Sequence, residues 1–562
     1  MKVSLSNWTK TGSPWVWLNA GAVAICIIMV VGLLGLIAVR GLSHFWPADI
    51  LQATYQQGDQ KITLAGEVVE VEDVLAEQLR GAGVDVPEGL ETMRRDLLKI
   101  GNRDIGGIDF TWVLDANLSD RQKPAMLFAA ERHEWGNFYG YLRSLKQGDE
   151  VVGSYDGYDP SEAYLTLWGQ FEQSIERAIE INEAILEIQK DEIGAINYEL
   201  ERLRLKQRSL ELKGSTDADA FADINTRRDE LNAEYENLQQ TLIDLYAQVN
   251  RDSIQAETAS GQMLTIPVAK IVRAYRPNDM GIIAKLGHYG AKLWEFVSAE
   301  PREANTEGGI FPAIFGTVMM VIIMSIMVTP FGVVAAVYLR EYAKQGFTTR
   351  LIRIAVNNLA GVPSIVYGVF GLGFFVYFLG GNIDRLFYPE ALPSPTFGTG
   401  GLMWSSITLA LLTVPVVIVA TEEGLSRIPH ALREGSLALG ATKAETLWKV
   451  VLPMASPAMM TGVILAIARA AGEVAPLMLV GVVKLAPSLP LDMNYPFLHL
   501  DQKFMHLGFH IYDVGFQSPN VEAARPLVYA TAFLLVVVIA LLNISAVQIR
   551  NHLREKYKSL EM

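Results

Sequence analysis

The chain has 562 residues, of which 50% are hydrophobic, and its mean hydropathy of +0.23 is high for a soluble protein of this size. Its formal net charge is −14, from 47 Lys and Arg against 61 Asp and Glu. The single cysteine, Cys26, excludes a fold held together by disulfides within the chain. These totals indicate a protein with several membrane spans.

Six apolar runs are long enough to cross a membrane as helices, which takes about 20 residues. They lie near 15–39, 311–339, 353–379, 402–421, 457–483 and 526–547. We therefore expect an α-helical polytopic membrane protein with six transmembrane helices. The first run has no small-x-small cleavage site followed by a polar stretch, and we interpret it as an uncleaved anchor rather than a signal peptide.

A polar block at residues 41–307, here called the insert, separates the first two runs and is too long to be a loop. It carries 27 Lys and Arg against 47 Asp and Glu, a net charge of −20, whereas the rest of the chain carries +6. Such an acidic block disfavours a nucleic-acid partner, because it cannot neutralise phosphates in bulk. The predicted domains are a terminus with the first span (1–40), the insert (41–307) and a core with five spans (308–562).

Basic residues cluster in alternate links between the runs, and such clusters face the cytoplasm in membrane proteins. They are Lys2, Lys10, Arg340, Lys344, Arg350, Arg353, Arg427, Arg433, Lys443, Lys449, Arg550, Arg554, Lys556 and Lys558. This pattern predicts that both termini are cytoplasmic. The insert and the links at 380–401 and 484–525, here called the outer loops, are then on the opposite side.

Two stretches of the insert, 168–212 and 221–250, have apolar residues at alternating steps of three and four, which is typical of coiled coils. A Gly-Ser-Asp turn at 214–220 separates them. The pattern predicts an antiparallel helical hairpin at about 168–250, about 45 Å long. It could be a rigid spacer, or its tip could bind a partner. The flanks at 61–73 and 262–277 alternate like strands of a β-containing base, and they could pair with each other.

The link between the fourth and fifth runs contains the segment ALREGSLALGATKAETLWKVVLP at 431–453. It is too polar to be buried in lipid, yet good helix formers stand on both sides of Gly440. Glycine permits a backbone turn that a side chain would obstruct. The segment therefore predicts a helix–turn–helix handle for another protein on the cytoplasmic face.

This segment resembles the EAA signature of ABC importer permeases. The matching residues are Glu434, Gly435, Ser436, Gly440, Leu452 and Pro453, with Gly435 and Ser436 in place of the two alanines. Further stretches, among them NNLAGVPSIVYGVFGL (357–372) and ILAIARAAGEVAPLMLVG (464–481), resemble PstA, the permease subunit family of phosphate importers. The resemblance spans 308–558 and the first run, but not the insert.

The resemblance implies the six-helix type I ABC importer permease (MetI-like) fold, in the inner membrane of a bacterium with a periplasmic insert. It implies high-affinity phosphate import with a second, PstC-like permease, a PstB-like ATPase dimer and a PstS-like periplasmic phosphate-binding protein. The loop at about 422–456 would couple to the ATPase. The chain has no G-x-x-x-x-G-K-[ST] phosphate loop. We therefore expect no enzyme activity, cofactor or metal in this chain, and ATP-Mg on the partner ATPase.

Arg469 and Glu473 fall within the fifth run, four residues apart and so on one helix face. A central arginine costs about 2.5–3.5 kcal/mol on insertion scales, so the pair is either a structural clasp or part of a pathway. The resemblance implies an anion pathway to which Arg469 offers hydrogen-bond donors. Four prolines interrupt the spans and are predicted to kink them: Pro330, Pro363, Pro415 and Pro476. Each kink is either a hinge or a feature that only shapes the packing of the helices.

Two other functions stay open. One is a permease for another oxyanion, such as sulfate or molybdate. The other is a membrane-anchored envelope scaffold or sensor that uses the hairpin of the insert.

Overall fold

The computed structural model describes residues 13–57, 60–81, 91–518 and 521–557. Lys2, Lys10 and Lys558, on which the predicted orientation partly rests, lie outside the described residues. Six helices within those ranges are long and apolar enough to cross a membrane. They are Trp15–Ser43, Phe311–Tyr342, Ser364–Phe387, Leu402–Arg427, Lys443–Ala470 and Ala524–Lys556.

The helices are numbered in chain order. They are α1 (Ser13–Ser43), α2 (Ala76–Gly81), α3 (Arg103–Gly106), α4 (Glu162–Glu187), α5 (Ile193–Leu212), α6 (Ala218–Val249), α7 (Ile282–Ser298), α8 (Phe311–Val337), α9 (Phe347–Leu359), α10 (Ser364–Phe370), α11 (Gly381–Phe387), α12 (Leu402–Arg427), α13 (His430–Ala438), α14 (Lys443–Thr446), α15 (Leu452–Ala470), α16 (Ala475–Val480), α17 (Leu507–Tyr512) and α18 (Val521–Tyr557). Single π-helical segments join α4 to α5 (Ile188–Glu192), α10 to α11 (Gly371–Gly380) and α14 to α15 (Leu447–Val451), and two more follow α8 (Tyr338–Tyr342) and α17 (Asp513–Gln517).

Two of the six predicted spans are shifted along the chain in the structure. The third was predicted at 353–379, but α9 ends at Leu359 and a new helix begins after Pro363, so the span is Ser364–Phe387. The fifth was predicted at 457–483, but its helix already begins at Lys443 and ends at Ala470. In both places hydropathy continues across a break, because apolar residues also fill the short turns between the helices.

The insert contains far more β structure than the two predicted strand regions. Its strands are β1 (Ile50–Gln57), β2 (Gln60–Leu75), β3 (Thr92–Lys99), β4 (Phe110–Leu114), β5 (Leu118–Gln122), β6 (Phe128–Arg132), β7 (Phe138–Gln147), β8 (Glu150–Ser154), β9 (Asp252–Glu257), β10 (Met263–Pro267), β11 (Ile271–Tyr275), β12 (Pro301–Arg302) and β13 (Glu307–Gly308). One sheet has the order β4-β3-β2-β1-β5, and a second has β10-β9-β7-β6-β11 with β8 on β7. The pairs within both sheets are antiparallel.

The possible pairing between the flanks 61–73 and 262–277 is wrong. The first flank lies in β2, which pairs with its neighbours β1 and β3. The second flank forms β10 and β11, which pair with β9 and β6 in the other sheet. Each flank therefore finds partners among other strands of the insert whose alternation was not recognised.

Helix α4 is fixed to the second sheet by a large apolar core. Its Tyr164 and Phe171 are fully buried against Phe128 and Phe138 of β6 and β7. The chain continues through the π-helical segment into α5, turns, and returns as α6. An ion pair between Glu199 of α5 and Arg227 of α6, with Nε–Oε1 at 3.0 Å, joins the two antiparallel helices. The segment α4–α6 is called the hairpin below.

Contacts between the links place them on two sides of the span bundle. On one side, the link after α8 contacts the link after α12, since a guanidinium nitrogen of Arg433 lies 3.0 Å from Oε1 of Glu341. On the other side, the insert contacts both outer loops, because α5 packs against Pro389–Ala391 and Tyr198 against Tyr495. A chain that crosses a membrane six times requires this arrangement, in which successive links lie on opposite sides. Which side faces the cytoplasm stays a prediction.

Candidate functional site

The loop predicted at about 422–456, called the coupling loop after its predicted role, includes the last turns of α12, which ends at Arg427. Helix α13 starts after Pro429 and carries the Glu434-Gly435-Ser436 motif. Arg433 anchors this helix, since its guanidinium donates to the carbonyl of Leu425 at 2.7 Å and pairs with Glu341 at 3.0 Å. Its side chain is only 14% exposed, so the anchor is largely shielded from water.

Gly440 makes the turn that the sequence predicted for it. Its φ is +87°, in the left-handed region that glycine adopts without strain. A Cβ at this position would meet no atom within 4 Å, so the requirement for glycine comes from the backbone and not from lack of space. The direction of the chain after α13 therefore depends on this residue.

A capping box starts the helix that follows the turn. Thr442 Oγ1 accepts a hydrogen bond from the Glu445 amide at 3.2 Å, and the Glu445 carboxylate accepts one from the Thr442 amide at 2.9 Å. This arrangement satisfies two amides that the first turn of a helix leaves without partners. The T-x-x-E pattern is visible in the sequence, so it could have been recognised there.

A small apolar cluster supports the coupling loop from the membrane side. Its buried members are Leu425, Ile428, Leu447, Val451 and Ala455. Because these side chains come from both ends of the loop, they close it into one compact unit. Leu452 and Pro453, the end of the motif, lie partly buried at the start of α15.

The opposite face of the loop exposes large apolar side chains. Leu439, beside the turn, is 91% exposed, and Trp448 in the following π-helical segment is 75% exposed. Glu434 is also exposed, and its side chain forms no hydrogen bond or ion pair within the described part of the chain. Apolar residues rimmed by polar ones mark a protein-binding or membrane-binding site where they form a contiguous exposed patch. Neither Leu439 nor Trp448 was singled out from the sequence.

Arg469 and Glu473 lie close together, but not on one helix face as predicted. Helix α15 ends at Ala470, so Arg469 is in its last turn and Glu473 lies in the break before α16. Arg469 Nε is 3.7 Å from Glu473 Oε1, and the side chains are 31% and 23% exposed. No hydrogen bond within the described residues occupies the guanidinium of Arg469.

The four prolines divide into two groups. Pro330 and Pro415 lie inside α8 and α12, where proline removes a backbone hydrogen bond. Pro363 and Pro476 were predicted to kink spans, but they begin helices: Pro363 precedes α10, and Pro476 is in the first turn of α16. Proline is favoured there because the first amides of a helix have no partner within it. These two residues therefore mark breaks between helices.

Comparisons with known proteins give the family of the core. The family model for "Binding-protein-dependent transport system inner membrane component" matches residues 328–558, so the insert lies outside the matched region. The probable ABC transporter permease protein YqgH of Bacillus subtilis is 29% identical over 256 residues, which is 43% of this chain and 78% of that protein. The phosphate transport system permease protein PstA 1 of Mycobacterium tuberculosis is 35% identical over 245 residues, 43% of this chain and 71% of that protein.

A probable PstA protein of Methanocaldococcus jannaschii is 31% identical over 189 residues, 33% of this chain and 60% of that protein. Among solved structures, the MetNI methionine ABC transporter aligns with a TM-score of 0.30 and 18% identity, over 43% of this chain and 94% of the matched one. The assignment rests on the sequence matches. The chain belongs to the family of binding-protein-dependent transport system inner membrane components, the permease subunits of ABC importers.

Proposed function

We propose that this chain is the PstA-type permease subunit of a phosphate ABC importer in the bacterial inner membrane. The exposed Leu439 and Trp448 on a firmly anchored coupling loop carry this proposal, since an anchored, exposed loop can transmit force from a partner. Relatives named as PstA proteins, 31–35% identical, support phosphate as the substrate.

In this proposal the coupling loop contacts a PstB-like ATPase dimer, which binds ATP and Mg²⁺. A second, PstC-like permease completes the pathway, and a PstS-like periplasmic protein delivers phosphate. A push on α13 would reach the second span directly, because Arg433 pairs with Glu341 and Lys443 donates to the Glu341 carbonyl at the end of that span. Arg469 would offer its unoccupied donors to the anion along the pathway.

The test is uptake of radiolabelled phosphate by cells that lack their own phosphate importers and express this chain with its three partner proteins. We expect uptake that depends on the coupling loop, and its loss when the sequence of residues 431–453 is scrambled at constant composition. Normal uptake with the scrambled loop would contradict the proposal. Competition by unlabelled sulfate or molybdate distinguishes phosphate from another oxyanion, since only the transported anion should compete at low concentration.

A further inference from the structure

Helix α5 of the hairpin lies across the outer loops of the permease core. It packs against the turn Pro389–Ala391, which belongs to the loop after the third span. The hydroxyl of Tyr198 donates to the carbonyl of Tyr495, and the Tyr198 ring contacts the His499 ring edge-on at 6.0 Å. Arg202 lies over the Tyr495 ring at 5.9 Å. We call this set of contacts the latch contact.

The two outer loops under α5 form one surface. The amides of Leu402 and Met403, the first residues of α12 directly after the first outer loop, donate to the carbonyls of Gln502 and Leu500 in the second at 2.9 and 2.8 Å. The second outer loop follows the break after the fifth span and the short helix α16.

The latch contact is weak compared with the attachment of α4. Apart from the buried Ala391, its side-chain contacts are polar and aromatic, and Tyr495 remains 65% exposed. Exposed cation–π pairs contribute little. By contrast, α4 buries Tyr164, Phe171 and Ile175 in the core of the second sheet. The base of the hairpin is thus fixed by far more buried apolar surface than the latch contact provides.

The helix changes geometry between these two parts. The π-helical segment Ile188–Glu192 lies where α4 ends and α5 begins. Such interruptions occur mostly as short segments and often at functional sites. Lys190 in this segment pairs with the exposed Glu300 at the base of the insert, and exposed ion pairs contribute little. Ile188 is buried in the core beside Leu242 of α6, which runs past the segment without a break, so bending here must also bend or shift α6.

We propose that the hairpin is a reversible latch on the outer loops. It bends at Ile188–Glu192, and it must release the outer loops before a substrate-delivering protein can use them. The inference rests on the proposed function. In the closed state, α5 occupies the surface formed by Pro389–Ala391, Tyr495 and His499. A delivery protein that needs this surface has to displace α5, so latch opening becomes a step of each transport cycle.

Reversible cross-linking tests the latch. The native Cys26 is replaced by serine, and Tyr198→Cys is combined with Tyr495→Cys in the complete importer. A short bis-thiosulfonate reagent joins the two thiols, and dithiothreitol releases them. We expect phosphate uptake to fall in proportion to the linked fraction seen on a gel and to return on reduction. Undiminished uptake by fully linked protein would overturn the latch.

Two controls separate latching from other effects of the reagent. The pair Glu199→Cys and Arg227→Cys joins α5 to α6 within the hairpin, where the native side chains lie 3.0 Å apart, and this link should leave uptake unchanged. A monofunctional thiosulfonate on the Tyr198 and Tyr495 positions should inhibit far less than the linker. If the cysteine-free parent takes up no phosphate, the proposed function fails, and the latch is judged by the distance measurement below.

That measurement follows the hairpin directly. Spin labels at Thr216→Cys, in the turn of the hairpin, and Ser394→Cys, in the first outer loop, report their separation in the purified importer. We expect two distance populations, with the longer one favoured when the delivery protein is bound. One unchanged distance with and without that protein and ATP would overturn the latch, whatever the transported substrate is.

Discussion

Gly435 and Gly440 are both glycines of the coupling loop, but their backbone conformations differ. Gly440 has φ +87°, where an alanine costs about 1–2 kcal/mol. Gly435 lies inside α13, and a Cβ added there would meet no atom within 4 Å, so alanine should stabilise the helix by about 0.5–1 kcal/mol. We expect Gly440→Ala to lower, and Gly435→Ala to raise, the thermal unfolding temperature.

The same pair of variants is informative for transport. Gly440→Ala should also reduce phosphate uptake, because the direction of α13 relative to α14 changes. Gly435→Ala places the residue of the EAA signature at that position. If both variants unfold at the same temperature as the parent chain, the left-handed turn at Gly440 is not needed.

Arg469→Gln should lower uptake without lowering expression. The substitution removes the charge that would hold an anion, and hydrogen bonds to charged groups contribute about 1.5–3 kcal/mol, so uptake at low phosphate should fall roughly 10- to 100-fold. Arg208→Gln is the matched control, since Arg208 lies outside the coupling loop, is 53% exposed and pairs with the neighbouring Glu211 at 3.2 Å. Equal uptake by the two variants would assign Arg469 a structural role only.

At the scale of elements, the sequence predicted what depends on local pattern. The apolar runs located the six spans, and Gly440 located the turn of the coupling loop. The start of the third span and the end of the fifth could not be predicted, because apolar residues run through the breaks after Leu359 and Ala470. The flanks of the insert could be recognised as strands, but their partners depend on contacts between distant strands such as β6 and β11.

The exposed face of the coupling loop was also beyond prediction. A leucine and a tryptophan in an amphipathic segment are equally consistent with packing on the membrane helices. Only the folded arrangement, in which Leu425, Ile428 and Leu447 supply the apolar support, leaves Leu439 and Trp448 outside. The sequence pattern alone does not distinguish the two faces of so short a helix.

Leu439→Asp tests this face of the element. At 91% exposure the side chain contributes little to the stability of the chain, so the unfolding temperature should not change. Burial of a leucine at an interface contributes about 1.5–3 kcal/mol, so co-purification of the ATPase subunit should fall about tenfold or more. Leu212→Asp, at a leucine of the hairpin that is 51% exposed, is the control and should retain the ATPase. Full retention by Leu439→Asp would exclude this residue from the interface.

The whole molecule depends on a charged junction between the insert and the spans. Lys292 of α7, the helix that precedes the second span, donates to Glu131 of β6 at 2.7 Å. Burial alone would raise the pKa of the Glu131 carboxyl, but Lys292, Arg273 and Arg302 outweigh it and lower the pKa from 4.5 to about 2. Because the folded-state pKa is lowered, the carboxylate stabilises the fold above pH 4.5, by about 3 kcal/mol.

This stabilisation should be lost as the pH falls from 4.5 to about 2. We therefore expect Glu131→Gln to lower the unfolding temperature strongly at pH 7 and much less at pH 3, since at low pH the unfolded parent chain also carries a protonated Glu131. The neighbouring Glu134 is exposed, and Glu134→Gln should have little effect at either pH. If Glu131→Gln lowered the unfolding temperature equally at pH 7 and pH 3, the ionic origin of this stability would be contradicted.

The orientation of the molecule can be tested with single cysteines in the Cys26→Ser background. The basic links predict that the coupling loop is cytoplasmic and that the insert and outer loops are periplasmic. In cells with a permeable outer membrane, a membrane-impermeant maleimide should label Thr216→Cys and Ser394→Cys, both exposed on the side of the insert. It should label Leu439→Cys only after the inner membrane is permeabilised, although that residue is 91% exposed. The reverse pattern would place the coupling loop where no ATP is available and would exclude ATP-driven transport through it.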